Sequence, residues 1–221
     1  MIDLNARFAD RTDAGRRLAT RLTHLRDEAP IVLALPRGGV VVGHEIARAL
    51  HAPLDIIAVR KIGAPQHPEF AIGALADGRH PQLLLDEAAV REVGVSRSAL
   101  RRAIRTEWHE LRRRERLYRG AEPRVDVNNR TVIVVDDGIA TGCTVRAALR
   151  SLRRSDPHHL ILATPVAPPE TLAMLRHECD EIVCLLQPAS FHAVALYYDD
   201  FEQTIDQEVV RLLDAANAAP T

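Results

Sequence analysis

Two adjacent carboxylates, Asp136 and Asp137, stand where they could hold hydroxyl groups or a cation. They follow directly on residues 131–135, a β-branched run without glycine or proline that predicts a buried parallel strand. Beyond a short turn, apolar residues recur at the i, i+3, i+4 and i+7 spacing of an amphipathic helix: Val145, Ala148, Leu149 and Leu152. The sequence therefore predicts a strand, an acid pair, a small loop and a helix.

The loop between the acid pair and the predicted helix suits a phosphate. The first amides of a helix have no internal partner and lie at the positive end of its dipole, so an anion binds there. Gly142 permits close backbone approach, while Thr141 and Thr144 add hydroxyl donors. A phosphorylated sugar would satisfy both halves, with its diol over the acid pair and its phosphate in the loop. The alternative is an ordinary turn with an N-cap threonine, which leaves the acid pair without a role.

Residues 132–144 resemble the phosphoribosyl pyrophosphate (PRPP) binding signature of the type I phosphoribosyltransferases. The shared pattern is two acids after an apolar strand, with Thr-Gly-x-Thr beginning five residues past the first acid. The resemblance implies that Asp136 and Asp137 hold the ribose hydroxyls and Mg²⁺, the latter through water. It also implies that the 5-phosphate is bound by the residues that follow: Ile139, Ala140, Thr141, Gly142, Cys143 and Thr144. Cys143, at a helix N-terminus, could have a lowered thiol pKa, and we interpret it as a bystander.

A second glycine-rich turn, Pro36-Arg37-Gly38-Gly39, follows a predicted strand at residues 31–35 and precedes a predicted helix. Its glycines expose backbone amides, and Arg37 offers a planar fork for phosphate oxygens. Alone, the tetrapeptide also fits a plain turn. In the resembled family the loop after the first core strand holds pyrophosphate, often through a non-proline cis peptide. That role is thereby implied for Arg37, Gly38 and Gly39.

A basic pair, Arg60-Lys61, ends the next predicted strand at residues 54–59 and resembles the start of the mobile catalytic loop of the adenine and orotate enzymes. The resemblance implies that Lys61 reaches the pyrophosphate. It also implies that residues 63–69 form a loop that closes over the site and excludes water. The alternative is an exposed basic turn. Residues 72–76 and 83–85 predict a short hairpin about Asp77-Gly78.

Two positions depart from the family pattern. Ala140 stands where the hypoxanthine and guanine enzymes have an aspartate that serves the base, which argues against a 6-oxopurine acceptor. Gly138 stands where the signature usually has an aliphatic residue. Aromatic residues beside acids near the C-terminus are candidates for the floor of an acceptor pocket, although a structural hood strand is an equal alternative: Phe191, Tyr197 and Asp199.

Between Ser96 and Gly120 the sequence becomes strongly basic, with nine arginines against three glutamates. An apolar stripe predicts one long helix: Leu100, Ile104, Trp108 and Leu111. A basic helix can bind RNA or DNA, but interleaved stacking aromatics are missing. We therefore favour a solvated helical insertion that covers the site or packs against a second subunit in a homodimer. Nearer the N-terminus, Asp13 is predicted to cap a helix whose arginines form a solvated face.

Composition limits the remaining possibilities. The 221 residues are 47% hydrophobic and 27% charged with a net charge of −1, which gives no overall reason to expect a nucleic-acid or membrane partner. No apolar run approaches the ~18 residues that span a bilayer, and no secretory signal is visible. The three cysteines lack metal-ligand spacing and suggest neither zinc nor a disulfide framework. We expect a cytoplasmic protein.

The sequence thus predicts one α/β domain over residues 1–221, a three-layer α/β/α sandwich with a mainly parallel sheet. Its parts are a core at about 30–187, a helical insertion at about 86–120 and a C-terminal hood and helix at about 187–215. The implied function is a Mg²⁺-dependent phosphoribosyltransferase of nucleotide metabolism that uses PRPP and a nitrogenous acceptor and releases pyrophosphate. The alternatives are a PRPP-sensing regulator, an RNA-binding protein or a scaffold without catalysis, all on the same fold.

Overall fold

The computed structural model describes residues 7–120 and 122–218, which form eight strands and seven α-helices. The strands are β1 (Ile31–Ala34), β2 (Leu54–Ile56), β3 (Val59–Ala64), β4 (His67–Ala76), β5 (Gln82–Leu85), β6 (Thr131–Val135), β7 (His159–Val166) and β8 (Glu181–Leu186). The helices are α1 (Arg11–Arg21), α2 (Gly38–Leu50), α3 (Glu87–Glu92), α4 (Arg97–Arg119), α5 (Cys143–Arg153), α6 (Pro169–Leu175) and α7 (Asp206–Ala218). None of the described helices combines the length and apolar character that crossing a bilayer requires.

Five strands form a parallel sheet in the order β2-β1-β6-β7-β8. Every residue of β1 and β6 is buried, as expected of strands covered on both faces. Ala34 at the end of β1 pairs with Val135 at the end of β6. The loops that follow these two strands, residues 36–39 and 138–144, therefore begin side by side at the carboxyl edge of the sheet.

Helices cover both faces of this sheet, which confirms the predicted three-layer α/β/α arrangement. Alternate residues of each strand face opposite layers. Val32 of β1 packs in the core with Leu18 of α1 and Ile46 of α2, and α7 joins the same layer. Leu33 packs on the other side in the core that includes Leu149 of α5 and residues of α6.

A second sheet, antiparallel and in the order β3-β4-β5, packs on the outer side of α5. The predicted hairpin of residues 72–76 with 83–85 is confirmed by the pairing of β4 with β5. Two other predictions were wrong. The predicted strand 54–59 is divided, because β2 ends at Ile56 and β3 begins at Val59. Residues 63–69 belong to a β3–β4 hairpin instead of an open loop, because Gly63 lets the Pro68 backbone approach: a Cβ atom at position 63 would lie 2.2 Å from the Pro68 carbonyl oxygen.

The helical insertion covers the free face of the antiparallel sheet. Ser96 caps α4 as predicted, since its Oγ accepts a hydrogen bond from the Ala99 amide at 3.2 Å. The predicted apolar stripe of α4 packs with Ile62 and Ile72 of the sheet. The C-terminal segment is divided: residues 187–205 run as loop around a 3₁₀ turn at Val194–Tyr197, and α7 packs against α2 and α4.

Candidate functional site

The loops after β1 and β6 are in direct contact, and glycine makes the contact possible. A Cβ atom on Gly39 would lie 2.8 Å from the Val135 carbonyl oxygen. A Cβ atom on Gly38 would lie 1.9 Å from Oδ2 of Asp137. Because any larger residue would push the loops apart, these glycines bring the 36–39 loop against the acid pair, Asp136 and Asp137.

Each loop leads into a helix and presents unpaired amides. Among the described residues, the backbone N–H groups of residues 37–39 and 140–145 donate to no protein acceptor. They lie at the N-termini of α2 and α5, which have 13 and 11 residues. Gly142 has a positive φ of 73°, which favours glycine, and Thr171 Oγ1 fixes the 138–144 loop by donating to the Ala140 carbonyl at 2.7 Å. The structure therefore places two anion-binding helix ends beside each other.

The 36–39 loop contains the non-proline cis peptide bond that the resemblance implied. The peptide bond between Pro36 and Arg37 is cis. The side chain of Arg37 does not turn toward the acid pair. Its Nη1 lies 3.5 Å from Oδ1 of Asp206, at the start of α7, and Asp206 also accepts a hydrogen bond from the Tyr118 hydroxyl at 2.7 Å. Arg37 thus contributes its amide to the site, while its guanidinium pairs elsewhere.

The acid pair is partly buried, and its two neighbouring negative charges repel each other. Burial and repulsion from the neighbouring Asp137 carboxylate raise the pKa of Asp136 well above its usual range. The Asp137 amide donates to Asp136 Oδ1 at 3.0 Å. Asp137 has a cationic partner that sequence reasoning missed, because Arg11 Nε lies 2.6 Å from its Oδ2 atom.

Arg11 is held from several sides. It is the first residue of α1, and its guanidinium lies 3.8 Å from the centroid of the Phe201 ring. Its Nη1 donates to the Glu202 carbonyl at 2.7 Å, and only 12% of its side chain is exposed. The prediction that Asp13 caps this helix was wrong, since Asp10 is the cap. The helix arginines that follow Asp13 are exposed as predicted, whereas Arg11, which precedes Asp13, points into the site. An arginine in the first turn of a helix, where the dipole disfavours a cation, was the available signal.

Lys61 lies on β3 of the hairpin and is exposed. Its Nζ donates to the Glu69 carbonyl at 3.0 Å, so in this structure it is tied to its own hairpin.

The charge of Lys61 also influences the pKa of the Cys143 thiol at the start of α5. Burial and the Asp86 carboxylate raise the pKa of the Cys143 thiol, while Arg146 and Lys61 oppose that rise. The expectation of a lowered Cys143 pKa was therefore wrong, because desolvation outweighs the helix end.

The three residues predicted for an acceptor pocket do not converge on the acid pair. Phe191 and Tyr197 stack on each other, with ring centroids 5.7 Å apart and planes at 12°. Asp199 pairs with Arg7 at 3.3 Å and is 64% exposed. The neighbouring Tyr198, which was not predicted, does reach the site: its hydroxyl donates to the Asp137 carbonyl at 2.5 Å.

A cavity of about 260 Å³ lies away from both loops, beside the C-terminal end of α5. Its charged groups neutralise one another: Arg119 pairs with Asp55 at 3.1 Å, and Arg124 pairs with both Asp77 and Glu115. The third arginine of its lining, Arg79, is 71% exposed and lies 4.0 Å from Asp126. No group of three or more metal-binding side chains occurs among residues 7–120 and 122–218. The candidate site is therefore the carboxyl edge of β1 and β6.

Comparison with known proteins agrees with this geometry. Residues 9–202 match the profile of the phosphoribosyl transferase domain. Two curated proteins of Mycobacterium tuberculosis, both provisionally named phosphoribosyl transferases, are 43% identical to this chain over 210 residues, or 95% of its length and 47% of theirs. The chain thus spans about half the length of these relatives. The crystal structure of TT1426 from Thermus thermophilus is 43% identical, with a TM-score of 0.76, over 94% of this chain and 97% of that one. The chain belongs to the type I phosphoribosyltransferase family.

Proposed function

We propose that this chain binds PRPP at the carboxyl edge of β1 and β6 and transfers its 5-phosphoribosyl group to a nitrogenous base or related acceptor, releasing pyrophosphate. One observation carries the proposal: two helix N-termini with unpaired amides meet at an acid pair. PRPP has two anionic groups, a phosphate on C5 and a pyrophosphate on C1 of one ribose. The same ribose carries a diol. A site with two anion-binding ends and carboxylates between them is complementary to that ligand.

Each part of the site would have a separate task. The amides of residues 140–145 and the hydroxyls of Thr141 and Thr144 would bind the 5-phosphate. The acid pair would accept hydrogen bonds from the ribose hydroxyls. The amides of residues 37–39 would bind the pyrophosphate. Holding the ribose at three points orients C1 toward an acceptor and stabilises charge as the C1–pyrophosphate bond breaks, so no covalent enzyme nucleophile is required.

The acid pair also fits Mg²⁺ as a partner of the ligand. Magnesium takes oxygen ligands, keeps several waters and is commonly held by one or two carboxylates together with substrate phosphates. Asp136 and Asp137 supply such carboxylates, and the crowding of their charges favours a cation nearby. Bound there, Mg²⁺ would screen the charge of the leaving pyrophosphate.

The sequence of the 138–144 loop narrows the choice of acceptor. Ala140 places no carboxylate where a 6-oxopurine edge would need one, so we propose an acceptor other than hypoxanthine or guanine. The three cysteines are free, which fits the reducing cytoplasm that we propose as the location.

The test is isothermal titration of PRPP with Mg²⁺, followed by pyrophosphate release against a panel of bases. We expect PRPP to bind, and Asp136→Asn combined with Asp137→Asn to abolish binding while the domain stays folded. Asp214→Asn, which removes an exposed carboxylate of α7, is the matched control and should bind PRPP normally. Unchanged affinity in the double variant would reject this site.

A sensor on the same fold is the second candidate, since free amides and an acid pair explain PRPP binding without requiring turnover. The same titration separates the two. Pyrophosphate release with one base supports the transferase and names its acceptor. Tight binding without release from any base favours the sensor.

A further inference from the structure

We propose that Arg11 is the cationic side chain of the pyrophosphate subsite, and that the same guanidinium holds Asp137 for the ribose. This inference rests on the proposed function and deepens it. The positive charge that sequence reasoning gave to Arg37 comes instead from the first residue of α1.

Arg11 lies between the two parts of the site. A Cβ atom on Gly38 would lie 2.6 Å from Arg11 Nε as well as 1.9 Å from Asp137 Oδ2. The guanidinium therefore lies against both the 36–39 loop and the acid pair. A diphosphate bound on the amides of residues 37–39 would find Arg11 beside it.

Arg11 also supplies positive charge where the site needs it. Within the described part of the chain, Arg11 is the one cation within ion-pair distance of the acid pair. A polyanionic ligand that approaches two carboxylates meets repulsion unless a cation screens them. The Arg37 guanidinium lies 3.5 Å from Asp206 instead and forms no ion pair with either carboxylate within the described residues.

The guanidinium of Arg11 is held in place before any ligand binds. Arg11 uses Nε on Asp137 and Nη1 on the Glu202 carbonyl, and it stacks on Phe201. Its Nη2 donates to no acceptor among the described residues. A guanidinium fixed on two edges with a remaining donor matches the planar recognition of phosphate oxygens and loses little side-chain entropy on binding.

The experiment compares three ligands on the folded protein: inorganic pyrophosphate with Mg²⁺, ribose 5-phosphate, and PRPP with Mg²⁺. Arg11→Gln should weaken pyrophosphate and PRPP by about tenfold or more, the size of one lost charge-assisted hydrogen bond. Ribose 5-phosphate should lose clearly less affinity, at most about threefold, because it lacks the pyrophosphate and depends on Arg11 only through Asp137. Arg11→Lys should fall between wild type and Arg11→Gln, since it keeps the charge without the fork.

Two further variants make the comparison specific. Arg16→Gln removes a 63% exposed arginine of the same helix, which pairs with Glu45 at 3.2 Å, and should leave all three affinities unchanged. Arg37→Gln should weaken pyrophosphate less than Arg11→Gln does. Thermal unfolding of each variant establishes that it is folded, and Arg11→Lys carries the test if Arg11→Gln does not fold.

The outcomes separate this inference from the proposed function. If wild type binds pyrophosphate in an Arg11-dependent way but binds neither PRPP nor ribose 5-phosphate, the proposed function fails and the inference stands. If Arg11→Gln weakens ribose 5-phosphate and leaves pyrophosphate unchanged, Arg11 only positions Asp137 and the inference fails. A larger loss of pyrophosphate affinity in Arg37→Gln would also overturn it, and absence of any binding to wild type would end both.

Discussion

The side chain of Val194 occupies the space that a side chain at position 138 would need. A Cβ atom on Gly138 would come within 2.3 Å of Val194 Cγ1 and 3.2 Å of Val166 Cγ1. The resembled signature usually has an aliphatic residue where this chain has Gly138. Here the apolar contact beside the acid pair comes from the 3₁₀ turn of the C-terminal segment, 56 residues later in the chain.

This relationship predicts a compensating pair of substitutions. Gly138→Ala alone should lower the free energy of unfolding by about 1–3 kcal/mol, because it overpacks a filled site. Adding Val194→Ala should recover at least half of that loss, since the truncated side chain makes room. Urea unfolding of the four members of the double-mutant cycle measures the coupling. Purely additive effects would show that Val194 does not define the space at Gly138.

The buried Asp77 beside Arg124 predicts a pH-dependent stability. Burial and a hydrogen bond with Glu115 raise the pKa of Asp77 from 3.8 to about 6. Burial alone would raise the pKa of Glu115, but hydrogen bonds with Asp77 and Arg124 lower it overall. An acid with a raised folded-state pKa is most stabilising below its unfolded pKa, and this contribution is lost as the pH rises through the folded pKa.

Wild type should therefore lose stability relative to Asp77→Asn between pH 4 and pH 6, by about 1–3 kcal/mol for a shift of about two units. The asparagine amide can still donate to Glu115, so the comparison isolates the titration. Asp126→Asn, at a 76% exposed carboxylate of the same cavity, is the control and should follow wild type. Denaturant unfolding across this pH range provides the measurement. Parallel curves for wild type and Asp77→Asn would show that Asp77 titrates normally.

Several parts of the fold could be predicted because they depend on local pattern. The runs that became β1 and β6 are uninterrupted and apolar, and the glycine-rich turns after them have few alternative structures. The hairpin of β3 and β4 was missed because Pro65 and Pro68 normally interrupt strands. The pairing survives because a β-bulge shifts the register near Gly63, so the prolines fall beside the turn and at the irregular end of the ladder.

The charged contacts of the site could not be predicted for a different reason. Arg11 and Asp137 are 126 positions apart, and Tyr198 is 61 positions from Asp137. No periodicity links residues at such separations. Chain topology brings them together, because α1 and the C-terminal segment both pack at the carboxyl edge of the sheet. Arg37 shows the converse: its position in the loop was predicted, but the direction of its side chain depends on Asp206, far along the chain.

The neighbouring residues Arg60 and Lys61 should have different effects when changed. Within the described part of the chain, Lys61 is exposed and held only by the Glu69 carbonyl, whereas Arg60 pairs with Glu107 of α4 at 2.7 Å. We propose that Lys61 leaves the Glu69 carbonyl and acts beside Arg11 on the leaving pyrophosphate, so Lys61→Met should slow pyrophosphate release by about 10–100-fold with little change in stability. Arg60→Met should instead lower stability by about 1 kcal/mol and leave turnover unchanged. Steady-state kinetics and thermal unfolding of both variants test this, and equal kinetics for Lys61→Met and wild type would remove Lys61 from the mechanism.

Several cations of the arginine-rich helix α4 are paired with carboxylates of the same chain and are not free for nucleic acid. Arg113 and Arg114 pair with Glu110, and Arg119 pairs with Glu115 and Asp55, so these three cations are already used inside the protein. The apolar stripe that contains Trp108 packs on the antiparallel sheet, so α4 offers little aromatic surface for stacking.

We therefore expect no electrophoretic shift with bulk RNA even at low salt, where release of counterions favours binding most. The net charge of −1 points the same way. Arg101→Glu with Arg105→Glu is the diagnostic variant, because both arginines are exposed and neither forms an ion pair among the described residues. A shift with wild type that weakens steeply with salt and disappears in this variant would establish α4 as an RNA-binding surface. It would also favour the regulator over the transferase.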